Sequence, residues 1–145
     1  MSAENVDLVG RWFKGLEAGD LSPELWDPEI VIRNWDSSPV RGPYHGYDGL
    51  RQWWADFAEV IENAHLELKE AIDLGDGRVV TTQHLVGRFR LTGIEVDGPF
   101  GSILALSEGR LVSATGYATP GQAKKAAGMP RPGSTAEARR YAPRP

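Results

Sequence analysis

Apolar residues near the start of the chain recur at helical spacing. Val6, Val9, Phe13 and Leu16 lie three or four positions apart, and Leu8 and Trp12 widen the stripe. That pattern predicts an amphipathic helix. Gly19 sits where such a helix stops, in the position that favours glycine. Ser22-Pro23 reads as an N-cap followed by proline, opening a short second helix that Asp27-Pro28 ends. Residues 29–35 then alternate, with Ile30, Ile32 and Asn34 on one face and Val31, Arg33 and Trp35 on the other. A helix over 48–63, capped by Asp48, carries Leu50, Trp53, Trp54, Phe57 and Ile61 as its buried stripe. Residues 65–74 alternate again, and Gly75-Asp76-Gly77 signals a hairpin. Residues 78–92 read as one long strand, followed by an apolar strand over 100–106. Ser107-Glu108-Gly109 turns the chain into a last strand over 111–118. Thr119-Pro120 then caps a short helix ending at Gly128.

Helices first and antiparallel strands afterwards predict an α+β fold: a cone-shaped, curved antiparallel sheet wrapped around N-terminal helices. The open end of such a cone is where small ligands bind. Residues 1–128 read as one domain. Pro130, Pro132, Pro143 and Pro145 argue against a packed element beyond it, so 129–145 reads as a flexible Pro/Arg-rich tail, with at most a helical turn over 134–141. On the long strand one face holds Val79, Thr81, Gln83, Leu85, Gly87, Phe89 and Leu91. The other holds Val80, Thr82, His84, Val86, Arg88 and Arg90. Arginines are not buried unpaired, so the second set is expected on the convex side.

The net charge of −4 is uneven: residues 128–145 hold four arginines and one glutamate, which leaves the body at −7. An acidic body repels phosphate backbones and excludes nucleic acid as a partner of the core. No apolar run approaches the roughly 18 residues of a membrane span, and the first residues lack the pattern of a signal peptide. With no cysteine in 145 residues, disulfide and thiolate chemistry are excluded. The expectation is a cytoplasmic protein without a membrane partner. His45, His65 and His84 are not spaced to share a metal, and no phosphate loop, dinucleotide fingerprint or nucleophile elbow occurs. Neither a metal nor a cofactor is expected.

The densest motif is Gly42-Pro43-Tyr44-His45-Gly46-Tyr47-Asp48-Gly49-Leu50, a shaped turn between a strand and the Trp-rich helix. Together with Glu17-Ala18-Gly19-Asp20-Leu21 and Gly109-Arg110-Leu111-Val112, it resembles the SnoaL-like members of the nuclear transport factor 2 superfamily, over about residues 4–128. The resemblance implies a cone-shaped pocket and a homodimer. It does not fix a chemistry, because the superfamily includes isomerases, dehydratases, epoxide hydrolases, cyclases and subunits without activity. Ketosteroid isomerase places a base aspartate, a tyrosine and a protonated aspartate where this chain has Asn34, Trp12 and Gly101. An amide cannot serve as the general base. Arg88-Phe89-Arg90 offers no carboxylate for an epoxide-hydrolase arrangement, and His84 alone stands where scytalone dehydratase uses two histidines. A cyclase-like acid/base would have to be Asp36, with Tyr44 and His45 beside it at the mouth.

The same isomerase-like register places Gly101, Ile103 and Ala105 inward, with Val112, Ala114, Gly116 and Ala118. The expected ligand-binding set is Trp12, Trp26, Asn34, Trp54, Phe57, Gln83, Phe89, Gly101 and Gly116. Small residues opposite large aromatics mean either tight interlocking or room for a flat apolar ligand. Three functions stay open: binding of a small hydrophobic ligand, polycyclic ones included; a lyase, isomerase or cyclase using rim residues; and a non-catalytic accessory subunit. The convex face, read as Val80, His84, Val86, Arg88, Leu104 and Leu106, is the expected homodimer contact.

Overall fold

The structure is a computed structural model that describes residues 2–129 and 139–141. Helix α1 (Ser2–Glu17) carries the first apolar stripe, and Val9, Trp12, Phe13 and Leu16 are buried in the main core. The Asp20 N–H reaches back to the Gly15 carbonyl and the Gly19 N–H to Leu16, closing the helix with a left-handed Gly19. Ser22 does not cap a helix. Its own N–H donates to Asp20 Oδ1, and only one 3-10 turn (Pro23–Leu25) follows. Strand β1 (Trp26–Arg33) therefore starts earlier than the alternation alone suggested, with Trp26 fully buried at its head.

A two-residue strand β2 (Tyr44–His45) leads into α2 (Gly46–Val60). Asp48 is not the cap. It lies in the first turn, where a carboxylate suits the helix dipole, and pairs with Arg51. Helix α2 passes without a loop into β3 (Ile61–Asp73), so Ile61 begins a strand rather than ending the helix. The Gly75–Gly77 hairpin then joins β3 to β4 (Arg78–Phe89), and β5 (Glu95–Ser107), β6 (Arg110–Tyr117) and α3 (Pro120–Ala126) follow. Thr119 caps α3 by accepting from the Gln122 N–H. Strand β5 begins well before Phe100 and runs through Pro99. The pairing with β6 stops at Gly101↔Tyr117, so the missing proline N–H faces no neighbour on that side.

The strands form one open sheet in the order β2-β1-β6-β5-β4-β3-β7. It is mixed rather than wholly antiparallel, because β1 runs parallel to β6. The long intervening chain supplies the crossover that a parallel pair needs. Strand β7 (Arg139–Tyr141) lies antiparallel on β3, with Arg139 opposite Asp73. That places a strand where the C-terminal half of the expected helical turn would fall. The rest of the turn and of the expected flexible tail lies outside the described residues.

Helices α1 and α2 fill the concave side with Trp12, Leu50, Trp53 and Phe57, packed with Trp26 of β1. Helix α3 does not join them. It covers the convex side, where Ala123 and Ala127 pack on Val80, with Ile103 and Tyr117 alongside. This corrects the faces expected for β5. Directly paired strand residues share a face, and Gly101 pairs with Thr82, Ile103 with Val80. Both therefore point outward, and Leu104 and Leu106 point into the core. Gly101 is small for a different reason: an added Cβ would lie 2.7 Å from Ala123 Cβ and 2.9 Å from Pro120 Cα. A bulge after Ala105 likewise buries Leu111 completely and leaves Val112 half-buried.

Candidate functional site

The cone retains two adjoining hollows that share part of their lining. The outer one, about 130 Å³, lies between α2 (Trp53, Phe57, Val60), the inner faces of β3 to β5 (Leu66, Gln83, Leu85, Phe89, Val96, Phe100) and the segment 34–40. That segment folds back because the Asn34 N–H donates to the Arg41 carbonyl and the Ser38 N–H to Trp35. The fold-back swings Trp35 onto Phe100, with ring centres 5.6 Å apart and planes 13° from parallel. The inner hollow, about 60 Å³, reaches Trp12, Ser102, Ala114 and Gly116. Asn34, Trp53, Leu66 and Gln83 border both and form a waist between them.

Two side-chain amides are the polar groups of the waist. Asn34 Nδ2 donates to the Val40 carbonyl at 2.8 Å. Its Oδ1 then stands where a side chain of residue 116 would begin, 1.9 Å from an added Cβ, so only glycine fits there. Gln83 Oε1 accepts from Thr81 Oγ1 at 2.7 Å. Thr81 in turn contacts Ser102 Oγ, and both hydroxyl residues are buried. Among the described residues, no ionisable side chain lines the outer hollow. The indole N–H groups of Trp12 and Trp26 are buried without a partner among the described residues.

Of the residues expected to bind ligand, Asn34, Phe57, Gln83 and Phe89 line the outer hollow, and Trp12 and Gly116 line the inner one with Asn34 and Gln83. Trp26 lines neither; it is sealed under Trp12, ring centres 4.9 Å apart. Trp54 stacks on the far side of Phe57 and lines neither. Gly101 lies on the opposite face of the sheet, beneath α3. The rim candidates also stay outside. Asp36 and His45 are exposed, and Tyr44 turns away to donate to Asp56 Oδ2 on α2 at 2.8 Å. Burial first, then that hydrogen bond, pushes the Tyr44 pKa up to about 12. Residues missing from the expected set include Trp35, Ser38, Pro39 and Val40 on the fold-back, Val96 and Phe100 on β5, and Trp53, Val60, Ile61, Leu66 and Leu85, which the sequence pattern marks only as core or strand positions. The Ser-Ser-Pro turn after Trp35 was the signal for the first group.

A roomier groove of about 540 Å³ lies at the opposite end, between the α1 N-terminus and the hairpin turns, lined by Glu4, Asp73 and Glu108. Its lining is more polar than that of the outer hollow. The smaller apolar hollow with convergent amides is the stronger candidate for a ligand site. No helix of the structure is long and apolar enough to cross a membrane.

Comparison with solved structures finds the same fold. An NTF2-like protein of unknown function from Burkholderia pseudomallei superposes with TM-score 0.71 at 16% identity, over 84% of this chain and 95% of that one. A putative SnoaL-like polyketide cyclase from Jannaschia sp. gives TM-score 0.64 at 17% identity, over 79% and 85%. TerC, co-crystallised with polyporic acid, gives 0.69 at 16%, over 78% and 89%. The comparison with curated proteins finds no match. The model of the SnoaL-like domain matches residues 9–114, and the chain therefore belongs to the SnoaL-like domain family.

Proposed function

We propose that this protein binds a small, neutral, apolar ligand of single-ring size in its cone and does not act on it by acid/base chemistry. The observation that carries this reading is the outer hollow of about 130 Å³, apolar apart from two amides and a serine. Its size sets the ligand. An engineered apolar cavity of about 150 Å³ holds one benzene, whereas pockets for drug-sized molecules start near 300 Å³. A polycyclic ligand is therefore too large for the cavity in this form. The lyase, isomerase or cyclase reading needs a proton acceptor within reach, and neither Asp36, Tyr44 nor His45 lines the cavity. The polyketide cyclase description of the Jannaschia relative does not overcome that lack.

Thermal denaturation with single-ring and fused-ring compounds tests the reading. A ligand at one hundred times its Kd stabilises the folded state by about 2.7 kcal/mol. Single-ring compounds should raise Tm and fused three- or four-ring compounds should not. No shift with any of them would favour an accessory subunit whose cone is filled by its own tryptophans.

We also propose that two copies pair through the part of the convex sheet that α3 leaves bare. Val86 is 43% exposed there, flanked by the His84–Asp97 pair at 2.6 Å and by Arg88 and Glu95 at 3.8 Å. Light scattering at micromolar concentration should give the mass of a dimer, and a monomer would refute this arrangement.

A further inference from the structure

We infer that the waist of this cavity has a fixed hydrogen-bond polarity, a donor at Gln83 and an acceptor at Asn34, and so takes neutral single-ring compounds bearing a carbonyl and a hydroxyl oxygen. The inference rests on the ligand-binding reading above.

The polarity follows from counting protons. Thr81 is fully buried, and its hydroxyl donates to Gln83 Oε1 at 2.7 Å. A hydroxyl has one proton to give. The contact between Thr81 Oγ1 and Ser102 Oγ must then be donated by Ser102. The chain runs one way, from Ser102 through Thr81 to the Gln83 oxygen. It leaves the Gln83 amide nitrogen, with two protons and no partner among the described residues, as the group offered at the waist.

Asn34 is fixed by the opposite logic. Its Nδ2 is held by the Val40 carbonyl at 2.8 Å, so its oxygen is the free end, over Gly116 on the wall of the inner hollow. One amide therefore offers N–H and the other C=O. An ammonium would have to shed its water with no carboxylate lining either hollow, and a carboxylate in the outer hollow would find no cation there; the exposed Arg33 borders only the inner hollow. Thr81 and Ser102 act through Gln83 as positioning residues.

Isosteric probes test this. Acetophenone and α-methylstyrene share a shape and differ by one carbonyl oxygen. 1-Phenylethanol and cumene differ in the same way by one hydroxyl. Calorimetric titration of the full chain should give roughly five- to tenfold tighter binding for the oxygenated member of each pair. Gln83→Leu should erase the acetophenone preference while α-methylstyrene still binds. Thr81→Val frees the amide to turn over and should shrink the same preference. Gln83 is only half-buried, so its variant keeps the test usable if Thr81→Val fails to fold. Equal binding within both pairs, or a preference that survives Gln83→Leu, would overturn the inference and leave the ligand-binding reading standing. Failure of all four probes to bind would remove both.

Discussion

Gly116→Ala is the sharpest structural test of the waist. The new methyl carbon would sit 1.9 Å from Asn34 Oδ1 and 3.1 Å from Asn34 Cγ. Unbonded heavy atoms settle near 3.5–4.0 Å, so the amide must retreat by more than about 1 Å. Retreat breaks the 2.8 Å bond to the Val40 carbonyl. Losing one such bond costs about 0.5–1.5 kcal/mol. Forcing the side chain off its rotamer costs about 0.5–1.5 kcal/mol more. Replacing a strand glycine by alanine returns about 0.5–1 kcal/mol. At the middle of these ranges the net loss is about 1 kcal/mol, which for a domain of this length lowers Tm by about 2–4 °C. Urea denaturation should show a lower midpoint at unchanged slope. The cost should largely vanish when Asn34 is also replaced by alanine, giving a coupling energy that distant sites do not show. The reasoning fails if Gly116→Ala is as stable as the parent, or if its cost is the same with and without the Asn34 amide.

Three other outcomes follow. Gly101→Ala should destabilise by about 1–3 kcal/mol by lifting α3 off the sheet, yet leave probe affinity unchanged, because Gly101 lies outside the cavity. Weakened probe binding in that variant would contradict the outward face of β5. Trp53→Leu removes part of the waist, should cost less than the roughly 3–5 kcal/mol of a truncation to alanine, and should admit a two-ring ligand such as naphthalene; calorimetry that detects no naphthalene binding would count against Trp53 as the barrier between the adjoining hollows. The raised Tyr44 pKa favours the neutral phenol in the folded state, so its stabilising contribution is complete below pH 10 and lost as pH climbs through about 12. Denaturation midpoints of the parent and Tyr44→Phe should converge over that range, and parallel pH profiles would show that the Asp56 bond is not formed.

Much of the fold was written in patterns that depend on one element at a time. The α1 stripe, the Gly75–Gly77 hairpin and the arginines that put one face of β4 outward each carry their own signal. The glycine turn at 42–50 pointed to the family, although its Tyr44 and His45 line neither hollow. What stayed hidden depends on distant partners. Alternation along β5 gives two faces but not which is inner; the pairing of Gly101 with Thr82 and the seating of α3 decide it. Trp35 reads as an outer-face residue of β1 until the fold-back at 34–41 turns it onto Phe100. Phe57, Gln83 and Phe89 were legible because each lies on an inward position of a regular element, and Asn34 because it continues the inward alternation of β1 one residue past the strand's end.

A crystal structure of the protein with acetophenone tests the central claim most directly. The account places one ring between Trp53, Phe57, Leu85 and Phe89, with the carbonyl oxygen within hydrogen-bond distance of the Gln83 amide nitrogen. A cone with no ring in it, its side chains collapsed into the hollow, would contradict the account, and so would a ring bound only in the acidic groove beside Asp73.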